Sequence, residues 1–155
     1  KVSDKLLEQT GVIGEKIEIG SFKYLNSEFV GSYIHAGNKI ASIVGLSEKF
    51  DNADEVSKNI SMQVAAMNPV ALNENGVSQD IIEKEIEIAK DQLRQEGKPE
   101  DMLDNIAKGK LKKFFKENTL VNQQFIKDSK QSVSDYLKSQ SNNAEVTGFS
   151  RVGLV

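Results

Sequence analysis

The sequence predicts an α+β fold: an antiparallel sheet packed with helices, with an inserted antiparallel coiled-coil helical hairpin. Residues 15–46 contain three strand-like segments joined by short turns, which is typical of an antiparallel meander. Residues 78–117 carry apolar residues at helical spacing on both sides of a central turn. Strand-like sequence returns at residues 144–152. We therefore expect a core of residues 1–77 and 118–155 and an inserted hairpin of residues 78–117.

Length and composition limit the class of protein. A chain of 155 residues has the size of one domain. Its net charge of −3 does not support nucleic-acid binding, because DNA-binding proteins usually carry a basic excess. The chain has no cysteine, which excludes disulfides and thiol nucleophiles and is compatible with the cytoplasm. No apolar run approaches the roughly 20 residues that span a membrane. We expect a cytoplasmic protein that binds neither DNA nor a membrane.

The core is expected to begin with a short helix at residues 2–9, which the Thr10-Gly11 pair ends. A first strand is expected at residues 15–25, where apolar and polar residues alternate with a period of two. Turn-forming residues separate it from strands at residues 29–35 and 39–46. The last of these is the most continuously apolar, so we expect it to be the most buried.

A helix is expected between Asp51 and Pro69. Four apolar residues share one face of this helix: Val56, Ile60, Val64 and Met67. Pro69 ends it, because the residue before a proline is displaced from the helical region. Residues 70–77 are expected to form a loop.

After the hairpin, residues 118–130 are expected to be irregular apart from the apolar pair Phe125-Ile126. Ser132 is expected to cap a short helix that reaches residue 138. Asp135, three residues after the serine, completes a weak form of the capping box. A polar linker then leads to the last strand.

The hairpin of residues 78–117 carries two apolar stripes that should pack against each other. Ser78 is a candidate N-cap. Gly97 suits the left-handed position after a helix, and Pro99 suits the first turn of the next helix. The stripes consist of Ile82, Ile86, Ala89 and Leu93 in the first helix and Leu103, Ile106, Ala107, Leu111, Phe114 and Phe115 in the second. Two interpretations stay open: an ordinary packing unit, or a protruding arm that meets a partner.

Two further features lie in the second helix of the hairpin. Gly109 costs up to about 1 kcal/mol there relative to alanine, which indicates a close approach by another backbone or a kink. Five lysines form the most biased charge cluster of the chain: Lys108, Lys110, Lys112, Lys113 and Lys116. This cluster is either a solvated helix face or a surface for RNA or an acidic partner.

Residue types that carry catalytic chemistry are sparse. His35 is the only histidine, and the sequence gives it neither a triad nor a metal-ligand pattern, so a structural or surface role is favoured. The acidic pairs Glu83/Glu87 and Asp101/Asp104 have the spacing of solvated helix faces. No glycine-rich phosphate loop occurs. The residues by themselves therefore predict no active site, no cofactor and no metal.

Several short motifs, in one order over nearly the whole chain, resemble motifs of the bacterial elongation factor Ts family. They are S-Y-I-H with the following G-N-K-I at residues 32–40, I-S-M-Q-V-A-A-M-N-P at residues 60–69, G-K-P at residues 97–99, G-K-L-K-K-F at residues 109–114 and N-A-E-V-T-G-F at residues 143–149. Each motif is weak alone, but their shared order and spacing make the resemblance specific.

The resemblance implies a guanine-nucleotide exchange factor for elongation factor Tu in translation, an activity without covalent chemistry. In that family the core has two α+β subdomains, and a dimerisation hairpin is inserted in the second. The present chain resembles the second subdomain with its hairpin. The family's Thr-Asp-Phe motif, which disturbs the magnesium site beside the nucleotide, does not occur in this sequence. We therefore expect a fragment that docks on elongation factor Tu and promotes little exchange by itself.

The resemblance also implies where partners bind. Contacts with the third, β-barrel domain of elongation factor Tu are expected at Ile13, Gly14, His35 and Ile126. Phe125 is added to these contacts because it forms an apolar pair with Ile126 in a polar loop. Packing of the hairpin, and homodimerisation through it, would involve Ile82, Ile86, Leu93, Leu103, Leu111 and Phe114. The main alternative is a non-enzymatic adaptor that forms homo-oligomers through its hairpin. A small hydrolase based on His35 is a third hypothesis.

Overall fold

A computed structural model describes residues 1–154 of the chain. In chain order its elements are α1 (Val2–Ile13), β1 (Phe29–Ile34), β2 (Ile40–Leu46), α2 (Ala53–Met67), a 3-10 turn (Glu74–Gly76), α3 (Gln79–Gln95), α4 (Glu100–Asn118), β3 (Gln124–Phe125), β4 (Asp128–Ser132), α5 (Val133–Gln140) and β5 (Val146–Gly153). Helices packed with antiparallel strands confirm the α+β class. In the described part of the chain, no helix combines the length and the apolar character needed to cross a membrane.

The larger sheet has the strand order β1-β2-β5, and both neighbouring pairs are antiparallel. The expected strand at residues 15–25 is wrong, and the third strand of the sheet is β5, which pairs with β2 and not with β1. The alternating segment pairs with neither edge of the sheet, and most of its residues are exposed; only Ile17 and Leu25 are half-buried. Residues 21–23 line a cavity of about 180 Å³ with Ile43 of β2. Ser27 Oγ fixes the end of the segment by donating to the Leu46 carbonyl oxygen at 2.6 Å.

Helix α2 packs on the opposite face of the sheet. Ser42 Oγ donates to the carbonyl oxygen of Ser61 at 2.6 Å, and Arg151 Nε donates to that of Ala65 at 3.1 Å. The core between helix and sheet includes Val44, Leu46, Val56, Ile60 and Val64. The predicted buried helix face is confirmed except at Met67, which is 48% exposed because the helix ends there.

Gly31 lies where β1 comes closest to α2. A Cβ atom built at this position would overlap the Ser57 side chain and would lie 2.9 Å from the Ser57 carbonyl carbon. Real Cβ atoms essentially never come closer than 3.0 Å to a heavy atom outside their own residue and its chain neighbours. The packing of β1 on α2 therefore requires glycine at this position.

The predicted capping box at the start of α5 is confirmed. Ser132 Oγ accepts a hydrogen bond from the Asp135 N–H at 3.1 Å, and the Asp135 carboxylate accepts one from the Ser132 N–H at 3.2 Å. The hydroxyl and the N–H of Ser132 hold the pKa of the Asp135 carboxyl below its ordinary value, because both donate to the ionised form.

We expect the Ser132→Ala substitution to raise the pKa of Asp135 towards its ordinary value. Since the folded pKa is lowered, the capping box is fully stabilising above the ordinary carboxyl pKa and is lost as pH falls through the lowered value. An NMR titration of the Asp135 carboxyl checks this. Ser139→Ala, on the same helix, is the matched control and should leave the Asp135 pKa unchanged. An equal shift in both variants would contradict the assignment.

Helices α3 and α4 pack antiparallel, and the predicted turn between them is confirmed. Gly97 adopts φ +75°, and the N–H groups of Gly97 and Lys98 donate to the carbonyl oxygens of Arg94 and Leu93 at 3.0 Å. This pair of bonds is a Schellman motif. Pro99 directly precedes α4. The buried residues of the two helices, here called the hairpin seam, are Ala89, Leu93, Leu103 and Ala107.

The two ends of the hairpin are held side by side in the core. The Val70 N–H donates to the Asn118 carbonyl oxygen, and the Leu120 N–H donates to that of Ala71, both at 2.9 Å. Ala71 and Thr119 form an isolated parallel bridge. The core therefore determines where the hairpin leaves the domain and where it returns.

Gly109 faces open space in the middle of α4. Nothing lies within 4 Å of a Cβ atom built there, so the expected close approach by another backbone is wrong for the part of the chain that the structure describes. The sequence alone could not distinguish the two situations, because glycine can occupy a helix position in tight contact with another backbone as well as one that faces open space.

Candidate partner-binding site

Ile13 and Gly14 lie at the end of α1, which is longer than expected. Thr10-Gly11 does not end the helix. Gly14 does so in the left-handed conformation, with φ +78° and its N–H donating to the Thr10 carbonyl oxygen at 2.9 Å. Ile13 is 57% exposed, and nothing lies within 4 Å of a Cβ built on Gly14. Both residues are therefore accessible to a partner.

His35 follows β1 directly and is exposed. Its backbone N–H donates to the Ile40 carbonyl oxygen at 2.8 Å, which closes the β1–β2 turn. Its Nδ1 lies 3.1 Å from the Tyr33 hydroxyl, and the two rings meet edge to face with centroids 6.0 Å apart. Among residues 1–154 no group of three or more His, Cys, Asp or Glu residues could hold a metal ion. The geometry presents His35 as a surface residue that Tyr33 orients.

Phe125 and Ile126 have different environments, although the sequence suggested one apolar pair. Phe125 is 3% exposed and stacks on Tyr136 with ring centroids 4.1 Å apart. It belongs to the core, so its assignment as a direct partner contact is corrected. Ile126 begins the two-residue turn between β3 and β4 and is 39% exposed. Ile126 is therefore the residue of the pair that a partner can reach.

The turn that carries Ile126 is fixed by two polar residues of α2. The Ile126 N–H donates to Gln63 Oε1 at 2.8 Å, and Gln63 Nε2 donates to the Gln124 carbonyl oxygen at 3.1 Å. One helical turn earlier, Asn59 Oδ1 accepts a hydrogen bond from Lys127 Nζ at 2.6 Å. Sequence reasoning missed both residues. The available signal was two amide side chains four residues apart in a helix, which places them on the same side.

The hairpin candidates fall into two groups. Leu93 and Leu103 are buried in the hairpin seam, so they pack within the hairpin and leave almost no surface for a second copy. The remaining four candidates are half-buried and keep part of their surface: Ile82, Ile86, Leu111 and Phe114. Leu111 and Phe114 line a groove of about 100 Å³ together with Ile88, which is exposed.

Charged residues of the hairpin are mostly paired across or along the helices. Lys90 Nζ lies 2.8 Å from Asp104 Oδ1, and this hydrogen bond and charge hold the pKa of the Asp104 carboxyl below its ordinary value. In the lysine cluster, Lys110 lies 3.8 Å from Glu96 and Lys113 lies 3.7 Å from Glu117. Two of the five lysines thus have an acidic neighbour within 4 Å, and such exposed pairs contribute little to stability.

Comparison with known proteins decides the family. The family model described as Elongation factor TS matches residues 1–154. The chain belongs to the elongation factor Ts family. Its resemblance to elongation factor Ts, inferred from short motifs, is thereby confirmed over the whole matched range.

Individual members of the elongation factor Ts family are also similar to the chain. Proteins named Elongation factor Ts from Christiangramia forsetii and Flavobacterium psychrophilum are 68% and 63% identical over 153 residues. One from Porphyromonas gingivalis is 42% identical over 153 residues. These alignments cover 99% of the chain and 56%, 56% and 55% of the three relatives. The chain spans a little over half the length of the curated relatives it matches.

Proposed function

We propose that this chain docks on elongation factor Tu and that, in the intact factor, it takes part in guanine-nucleotide exchange in the cytoplasm. Membership of the elongation factor Ts family supports this proposal. The observation that carries it is the β3–β4 turn, which presents the exposed side chain of Ile126 on a backbone bonded to α2. An apolar side chain on a fixed turn is suited to act as an anchor in a protein–protein interface.

The proposed mechanism is a shift of populations. The intact factor would bind nucleotide-free elongation factor Tu more tightly than the GDP-bound form, and by linkage this preference weakens GDP binding. No bond is made or broken, and no cofactor is needed. The 155 residues contain no Thr-Asp-Phe motif. We therefore propose that the chain binds elongation factor Tu weakly and accelerates GDP release little or not at all.

Ile126→Ala is expected to weaken binding to elongation factor Tu about tenfold, because truncation removes an interface anchor of about 1.4 kcal/mol. The measurement is a titration of the chain into elongation factor Tu loaded with fluorescent GDP, which follows binding and nucleotide release together. Val70→Ala is the matched control: Val70 is 46% exposed and lies outside the proposed contact, so its truncation should not change the affinity.

The same titration separates the alternatives. Binding without release supports a docking role, whereas rapid release by wild-type chain would show that the Thr-Asp-Phe motif is dispensable. No binding at micromolar concentrations, together with concentration-dependent self-association, would favour the adaptor. We further propose that any homodimer forms through the half-buried hairpin residues Ile82, Ile86, Leu111 and Phe114, because each keeps part of its apolar surface accessible.

A further inference from the structure

We propose that Gln63 is a positioning residue, which sets the orientation of Ile126 for a protein partner without touching that partner itself. This inference rests on the proposed function, because it takes the exposed Ile126 side chain to be a contact. Gln63 is fully buried. Any effect of this residue on binding must therefore pass through its neighbours.

The side-chain amide of Gln63 bonds to the backbone on both sides of Phe125. Its Oε1 accepts the Ile126 N–H at 2.8 Å, and its Nε2 donates to the Gln124 carbonyl oxygen at 3.1 Å. Only an amide side chain offers a strong acceptor and two donors in one plane without a charge. Since no water reaches this buried amide, losing it would leave the two backbone groups without a substitute partner.

The amide of Gln63 is itself held in one orientation. The second hydrogen of Nε2 donates to Gln123 Oε1 at 3.2 Å, and Gln123 Nε2 donates to the Glu117 carbonyl oxygen at 3.0 Å near the end of α4. Both glutamines are almost completely buried. The β3–β4 turn is thereby tied to α2 and to the base of the hairpin.

A second contact from the same helix holds the other residue of the turn. Asn59 lies one helical turn before Gln63, accepts from Lys127 Nζ at 2.6 Å and donates from Nδ2 to the Tyr136 hydroxyl at 2.8 Å. Tyr136 in turn stacks on Phe125. Helix α2 thus fixes the backbone at Ile126 and the side chain at Lys127, which leaves the isoleucine side chain as the free apolar element of the turn.

The test compares Gln63→Met with wild type, because methionine has a similar length and no amide. First, hydrogen exchange of the Ile126 amide should accelerate roughly tenfold, while amides of β2 keep their protection. Second, the dissociation constant for elongation factor Tu should rise about tenfold in the wild-type background and less than about twofold in the Ile126→Ala background. A merely structural role would not produce this dependence on Ile126.

Val64→Ala is the control, since Val64 is the next residue of α2 and is fully buried in the apolar core. It should destabilise the whole domain without a selective effect on the Ile126 amide, and any effect on affinity should be independent of Ile126. If Ile126→Ala weakens binding but Gln63→Met does not, or if their effects add, the positioning role is wrong. If wild-type chain does not bind, or Ile126→Ala changes nothing, the proposed function fails and this inference fails with it.

Discussion

Gly31→Ala is expected to lower the free energy of unfolding by about 3 kcal/mol. The new methyl group would overlap the Ser57 side chain and come within 2.9 Å of the Ser57 carbonyl carbon. The overlap includes the Ser57 Cβ atom, which side-chain rotation does not move. The backbone of α2 must therefore shift, and this disturbs its bonds to the sheet, such as the Ser61 Oγ–Gly31 carbonyl bond at 3.2 Å. Urea unfolding monitored by circular dichroism gives the change in stability.

The matched control is the same substitution at Gly109. Open space surrounds this position in α4, and alanine is preferred to glycine in a helix, so Gly109→Ala should raise stability by up to about 1 kcal/mol. We therefore expect the free energy of unfolding to fall for Gly31→Ala and to rise for Gly109→Ala. A neutral effect of Gly31→Ala would mean that β1 and α2 separate easily, contrary to the packing described above.

Leu93→Ala is expected to remove about 3 kcal/mol from the stability of the hairpin, because it opens a cavity in the hairpin seam. Leu93 is 1% exposed. Helices α3 and α4 pack mainly on each other and meet the core at their base, so the loss should stay largely within the hairpin. Amide exchange should therefore accelerate in α3 and α4 while α2 and β2 remain protected.

A suitable control is Met102→Ala. Met102 lies on α4, is 50% exposed and does not belong to the hairpin seam, so its truncation should change hairpin exchange little. Uniform acceleration across the whole domain after Leu93→Ala would show that hairpin and core unfold as one unit. That outcome would contradict the local stability inferred from the packing.

The elements that sequence reasoning predicted well are those with strong local signals. The turn at Gly97 and Pro99 and the capping box at Ser132 each depend on residues within a few positions of one another. The strand expected at residues 15–25 failed because alternation of apolar and polar residues does not guarantee burial or a pairing partner, and Ile19, Phe22 and Tyr24 are exposed. The third strand of the sheet comes instead from residues far along the chain, because β5 pairs with β2.

The candidate site was only partly predictable for a similar reason. The resemblance identified Ile126 and His35, and both are exposed. The apolar-pair argument could not separate Phe125 from Ile126, since the burial of Phe125 depends on its stacking against Tyr136 of α5. Gln63 was overlooked because an isolated glutamine in a helix is usually a surface residue. Its role becomes visible only when the β3–β4 turn folds against it.

The bridge between Ala71 and Thr119 also makes the entropic cost of ordering the core nearly independent of the length of the hairpin. Both ends of the hairpin are anchored side by side in the core. The core is therefore connected through a closed loop, whatever the length of α3 and α4. Closure entropy grows only slowly with loop length, so lengthening or shortening the insertion by whole turns would change core stability little. The core can therefore accept hairpins of different length without a change in its own fold.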